Sequence, residues 1–263
     1  MLFTIFAGGY GAEGMSIMGN LRLAASIQSW AETEDETFYA KMQELGYTGL
    51  EVMPERVFPE ETYAHLTGAT LFTGYLYQSF GLKIAGLSPV LRGLGKAVTN
   101  PIDQEMQEDA IAAACRFAAS CHCNTLVMEC DTLPEERFLN TCGLLASQYN
   151  CTLVLEPKAG LSVLMLCRYV KMLGILGLAV CLNVGTMLAG SEKVAELIEY
   201  LPLISHVRIC EPDLGAIQPH SIHRELALLL KGLGYQGWIT VQMNPADAQA
   251  TEKSLAYVAE TFV

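Results

Sequence analysis

Basic residues are scarce in this chain: 16 Lys and Arg stand against 28 Asp and Glu over 263 residues, a formal net charge of −12. Nucleic acids bind through clustered Lys and Arg that displace counterions from phosphates. No such cluster occurs, so no nucleic acid is expected as a partner, although a local basic spot suits one small anion. Also missing is a leader with a basic start, an apolar core and a small-residue cleavage site. A membrane-spanning helix needs roughly 20 nearly uninterrupted apolar residues. The nearest match, residues 161–180, is broken by Arg168, Lys171, Gly174 and Gly177; it reads as a helix, a turn and a buried strand, and no membrane is expected. The nine cysteines are odd in number and form no regular framework. Cys121-His122-Cys123 lacks the two-residue gap that lets paired ligands close on zinc. Cys115, Cys121, Cys123 and Cys130 are therefore expected to be ordinary buried thiols, and a cytoplasmic location is expected.

What is present is apolar. Hydrophobic residues make up 51% of the chain and charged residues 17%, enough for one large core. Short apolar runs over residues 21–27, 49–53, 83–87, 125–128, 152–155, 179–182, 206–209 and 238–241 alternate with longer segments of helical period. The runs are mostly continuous, as in parallel strands buried on both faces. Val194, Leu197, Ile198 and Leu201 mark one helix face; Ile222, Leu226, Leu229, Leu230 and Leu233 mark another. Ser191 followed by Glu192 reads as a helix start, and Gly232 and Gly234 as a helix stop. The repeat of about 30 residues is that of a βα unit, and eight units make a (β/α)8 TIM barrel, an α/β fold of roughly 250 residues. A doubly wound open sheet is the competing architecture, but no Gly-rich phosphate loop follows the first strand: Gly8, Gly9 and Gly11 precede it. Residues 21–263 are expected to form a single domain. Residues 1–20 read as an N-terminal extension, or as sequence upstream of a true start at Met15 or Met18.

Barrel chemistry lies at the C-terminal ends of the strands and in the loops beyond them. That rule selects Trp30, Glu51, Ser88, Glu129, Glu156, Asn183, Arg208, Glu211, Asp213 and Gln242. Glu51 and Glu129 read equally well as strand-end carboxylates in water, and Glu211 and Asp213 as part of a solvated loop. Glu156 differs, because it follows the apolar run Leu153-Val154-Leu155 and precedes Pro157. A carboxylate at that depth requires a partner.

The run FYAKMQELGYTGLE from Phe38 to Glu51 resembles the first helix and second strand of the xylose-isomerase-like family. So does LGYQGW, Leu233 to Trp238, which leads into the last strand. The resemblance rests on the order and spacing of loose motifs from Leu21 onward. The family includes sugar-phosphate isomerases, ketose epimerases, inosose dehydratases and an abasic-site endonuclease. Its sugar-handling members usually hold one divalent ion, often manganese, with a Glu ending strand five, an Asp ending strand six, a His on strand seven and a Glu ending strand eight. By that resemblance Glu156 is retained, Asn183 replaces the Asp, Arg208 the His and Gln242 the Glu; Thr186 stands where a further His is usual.

These departures imply that the metal is lost. A divalent cation wants anionic oxygens or imidazoles, whereas Arg208 offers only donors and a permanent charge. Arg208 is expected to pair with Glu156 where the ion would sit. No cofactor is expected. Gln242 takes up no proton, so two-base epimerisation is unavailable. The resemblance then implies a sugar or sugar-phosphate isomerase acting on a small polyol, sugar or sugar acid. Glu156 would be its sole base and Arg208 would stabilise the enediolate, with Asn183, Gln242, Trp30, Glu51 and Ser88 binding substrate. The alternative is a non-catalytic ligand-binding or regulatory protein on the same barrel. The endonuclease reading fails, because its many-ligand metal cluster and basic surface are both missing. A homo-oligomer remains open.

Overall fold

The computed structural model describes residues 21–90, 101–158 and 160–263; the extension expected over residues 1–20 lies outside the described residues. Eight strands, β1 (Arg22–Ser26), β2 (Gly49–Val52), β3 (Lys83–Leu87), β4 (Thr125–Cys130), β5 (Thr152–Pro157), β6 (Leu178–Asn183), β7 (Ile204–Ile209) and β8 (Trp238–Val241), close into a barrel in sequence order. Every neighbouring pair is parallel, including β8 with β1. The α-helices are α1 (Asp35–Glu44), α2 (Pro54–Val57), α3 (Leu66–Phe80), α4 (Pro101–Ser120), α5 (Glu136–Gln148), α6 (Val163–Leu173), α7 (Val184–Gly190), α8 (Ser221–Gly232) and α9 (Ala248–Phe262). All eight expected strands are present. However, β4 and β5 each run two residues further than their apolar runs, so Glu129 and Glu156 lie within strands rather than beyond them.

Side chains alternate across a strand with period two. The outward set, including Leu50, Val52, Leu153, Leu155, Val207, Ile209, Ile239 and Val241, joins the large core between sheet and helices. The inward set forms layers of its own. Ala24, Ala85 and Trp238 make one interior cluster, and Val127, Val154, Ala179 and Cys181 another. A Cβ built on Gly49 would stand 2.6 Å from the Trp238 ring, so the largest interior side chain is matched by the smallest residue on a nearby strand. One inward step further along the strands, the interior turns polar: Ser26, Glu51, Glu156, Asn183, Arg208, Thr240 and Gln242 follow Ala24, Gly49, Val154, Cys181, His206, Trp238 and Thr240 at a spacing of two.

Three local expectations are corrected. Residues Val194–Leu203 form a 3-10 helix, whose three-residue period buries Val194, Leu197 and Tyr200. Ile198, expected on the buried face, is exposed. Ser191 ends α7 in the left-handed conformation, φ 54°, and does not start the following helix, whose N-cap is Lys193. The stop at the end of α8 falls where Gly232 and Gly234 place it, with Gly234 at φ +64°. Its buried face is Ile222, His223, Leu226, Ala227 and Leu230, while Leu233 is exposed. The region 161–180 is helix, glycine turn and strand, and among the described residues no helix is long and apolar enough to cross a membrane. All nine cysteines are buried and free.

Candidate functional site at the mouth of the barrel

Arg208 is the hub. Its guanidinium is fully buried, and its Nη2 donates to Glu51 Oε2 at 2.8 Å and to Ser88 Oγ at 3.0 Å. Its Nε lies 3.0 Å from Glu156 Oε1. The geometry brings Arg208 and Glu156 together, and adds Glu51 as a second carboxylate from the opposite side of the barrel. His206, one inward position earlier on β7, sets its Nε2 3.0 Å from the same Glu51 oxygen. Burial works against the Arg208 charge, but Glu156 and Glu51 outweigh it and raise its pKa. Burial likewise pushes the Glu51 carboxyl up, yet Arg208, His206 and Ser26 together hold it below the ordinary carboxylate value. Glu51 is thus an ionised, wholly enclosed group and not a strand-end carboxylate in water.

Asn183 closes the other flank. Its Nδ2 donates to Glu156 Oε1 at 2.7 Å, while its Oδ1 accepts from the Thr186 backbone N–H at 2.9 Å and from the Cys210 thiol at 3.3 Å. Asn183 therefore caps α7 and pins Glu156 at once. The Thr186 hydroxyl donates to the Pro157 carbonyl at 3.0 Å. Gln242 is buried, with its Oε1 making no hydrogen bond. Glu156 keeps Oε2 without a hydrogen-bond partner. Trp30 lies apart from this group. It is fully buried, stacked on Phe38 at 4.9 Å between ring centres, and donates to Asp35 Oδ1 at 2.8 Å. That packing leaves it no surface for a ligand.

Above the polar layer is a cleft of about 280 Å³, bordered by Asp131, Lys158, Asn183, Thr186, Cys210 and Glu211. Lys158 pairs with Glu129 at 2.8 Å. Burial lowers its pKa, but Glu156 and Glu129 raise it further. Glu211 does not belong to a freely solvated loop. It is 9% exposed, accepts from the Gln218 N–H at 2.8 Å and meets His220 Nε2 at 3.0 Å. Asp213 is exposed and accepts from the Gly215 N–H, as a loop residue does. Sequence reasoning missed Lys158 and His206. The strand-end rule extended two residues past Glu156 would have found the first, and period two back from Arg208 the second.

The donor set does not fit a divalent cation. The guanidinium lies against both carboxylates that could ligate one, and Asn183 turns its NH₂ toward Glu156 while its carbonyl is committed to the α7 N-terminus. Among the described residues no group of three or more His, Cys, Asp or Glu side chains is placed to hold a metal.

Closed eight-stranded topology and a polar layer at the strand ends define a (β/α)8 barrel. Solved structures of that type match nearly the whole chain. Escherichia coli 3-keto-D-glucoside 4-epimerase has 15% identity and a TM-score of 0.70, covering 91% of this chain and 99% of its own. D-psicose 3-epimerase from Clostridium cellulolyticum H10, solved with D-tagatose, has 12% identity and a TM-score of 0.72, covering 92% and 98%. A sugar phosphate isomerase/epimerase from Parabacteroides distasonis has 15% identity and a TM-score of 0.66, covering 94% and 97%. At these identities the likeness is one of fold. No protein-family sequence model matches the chain, and no curated protein does.

Proposed function

We propose that this chain is a metal-independent barrel that binds a small neutral sugar or polyol at its mouth, and that its acid–base centre has become a structural ion-pair core. One observation carries the reading: the Arg208 guanidinium sits between Glu51 and Glu156, and all three side chains are wholly enclosed. Glu156 Oε1 is already occupied by the Arg208 Nε and the Asn183 amide, so that oxygen is not open to a substrate. Nη2 is taken by Glu51 and Ser88 and Nε faces Glu156, and although Nη1 makes no hydrogen bond it is enclosed, so the guanidinium presents no open fork of donors to an anionic ligand. The cleft itself carries Asp131 and Glu211 against a Lys158 already paired with Glu129, so a neutral polyol suits it better than a sugar acid or sugar phosphate.

A second reading, single-base isomerisation, is favoured by Glu156 Oε2, the one oxygen of that carboxylate with no hydrogen-bond partner. Proton exchange separates the two. Matched aldoses and ketoses are incubated with the protein in D₂O and followed by NMR. Ligand-induced thermal stabilisation without deuterium entering beside the carbonyl supports binding alone. Deuterium incorporation that disappears in Glu156→Gln establishes the isomerase. Stabilisation by sugar phosphates and not by their neutral counterparts overturns the neutral-ligand assignment.

A further inference from the structure

Three residues beyond Arg208, the cleft carries a carboxylate–imidazole pair that the buried charge cluster does not use. Glu211 borders the cleft, and His220 Nε2 lies 3.1 Å from its Oε1 and 3.0 Å from its Oε2. Oε1 also accepts from the Gln218 N–H at 2.8 Å. His220 stands edge-on to the fully buried His223, with ring centres 5.4 Å apart and planes at 87°. His223 is held in turn by the Tyr257 hydroxyl, 3.0 Å from its Nδ1. These contacts fix the pair in one geometry, and the pair opens on two sides. Glu211 meets the cleft, whereas His220 lines a separate groove of about 700 Å³ beside Ser221 and Arg224 of α8 and Tyr257 and Glu260 of α9. The His220 side chain is 33% exposed, and its Nδ1 makes no hydrogen bond among the described residues.

We propose that Glu211 is a general base of the cleft and His220 its proton relay to water, so that the pair enolises a neutral hydroxyketone or hydroxyaldehyde bound there. The inference rests on the reading of the cleft as a site for neutral sugars. A base must reach the proton it takes and must then pass that proton on; Glu211 borders the ligand space and His220 borders the solvent groove. The proton on the carbon beside the carbonyl goes to a Glu211 oxygen. The C–H electron pair becomes the C=C bond, and the carbonyl π pair moves onto oxygen to give the enediolate. Lys158, on the same cleft, keeps donors beyond the one that meets Glu129 and stabilises that oxygen. Glu211 hands its proton to Nε2 of a neutral His220, and Nδ1 releases one to the groove. No electron leaves the sugar, and return of a proton by the same route exchanges that hydrogen with solvent.

The test incubates the whole chain in D₂O with dihydroxyacetone, D-fructose and D-tagatose, and NMR follows the hydrogens beside the carbonyl. Thermal stabilisation by each sugar is measured in parallel. The expected result is deuterium beside the carbonyl of every sugar that stabilises the fold, above the rate in buffer alone. Glu211→Gln should slow that exchange by about 100-fold or more, the usual worth of a general base, while the sugars still stabilise the protein. His220→Ala should slow it as well, and added imidazole, entering through the groove, should restore it. A histidine that served only to hold the loop would give a loss that imidazole does not repair. If Glu211→Gln fails to fold, the imidazole rescue decides. Stabilisation without exchange overturns the proposal and leaves the binding reading standing, whereas stabilisation by none of the sugars overturns both. Exchange that persists in Glu211→Gln, or a loss in His220→Ala that imidazole leaves in place, also overturns it.

Discussion

Arg208 on β7 donates to Glu51 on β2 at 2.8 Å, joining residues 157 positions apart across the interior of the barrel. With Glu156 on the other side of the guanidinium, the contact turns the mouth into a three-member charge cluster. Buried pairs of this kind add little over an apolar core, but breaking one leaves an enclosed charge unmatched.

Arg208→Ala, Glu51→Ala and Glu156→Ala are each expected to lose about 3–5 kcal/mol in chemical denaturation. Each double mutant with Arg208→Ala should recover part of the summed loss, since the survivor's unpaired charge is gone. Strict additivity in both cycles would show that the guanidinium is not the shared partner.

Acid should destabilise the protein in two separable windows. His223 is enclosed between His220, Glu211 and the Tyr257 hydroxyl; burial and His220 lower its pKa to about 4, against a slight opposing pull from Glu211. Between about 6.5 and 4 the unfolded chain binds a proton that the folded one refuses, so stability falls as pH falls through that range. For Glu51, whose folded value is below the ordinary one, the contribution is present above about 4.3 and lost below it as pH drops through the folded value. Denaturant midpoints against pH should flatten in the upper window for His223→Gln, and in the lower one for Glu51→Gln. An unchanged upper slope in His223→Gln would remove the histidine from the account.

Gly185→Ala should disturb the cleft. A Cβ there would stand 2.8 Å from the Glu211 carbonyl oxygen and 2.9 Å from the Cys210 sulfur, and backbone on the β7 side yields little. A loss of about 1–3 kcal/mol is expected, along with weaker thermal stabilisation by whichever sugar the wild type binds. Wild-type stability and wild-type sugar response together would place the cleft elsewhere.

Chelation should leave the fold indifferent. An ion bound only to the folded state stabilises it by mass action, so a metal-independent barrel melts at the same temperature before and after dialysis against EDTA, and added manganese does not raise it. Elemental analysis finding about one manganese or zinc per chain would contradict this.

The sequence by itself determined the architecture. Eight apolar runs spaced by helical segments permit few foldings other than a closed parallel barrel, and β3 and β8 occupy the same residues that their runs predict. The depth of Glu156 was equally legible, because a carboxylate ending such a run needs a partner wherever the chain goes. What the tertiary structure decided was partnership. Glu51 and Arg208 sit in unremarkable local contexts, and only the registers of β2 and β7, fixed by closure of the barrel, put them in contact. Glu211 reads locally as a loop carboxylate, but the return of the chain at His220 and Gln218 encloses it. The helix type of Val194–Leu203 was also a tertiary outcome: Ile198 fits an α-helical face as well as its neighbours do, and packing against the barrel selected the tighter period that leaves it outside. Local pattern fixes which side of a strand a residue faces; closure alone fixes what it meets there.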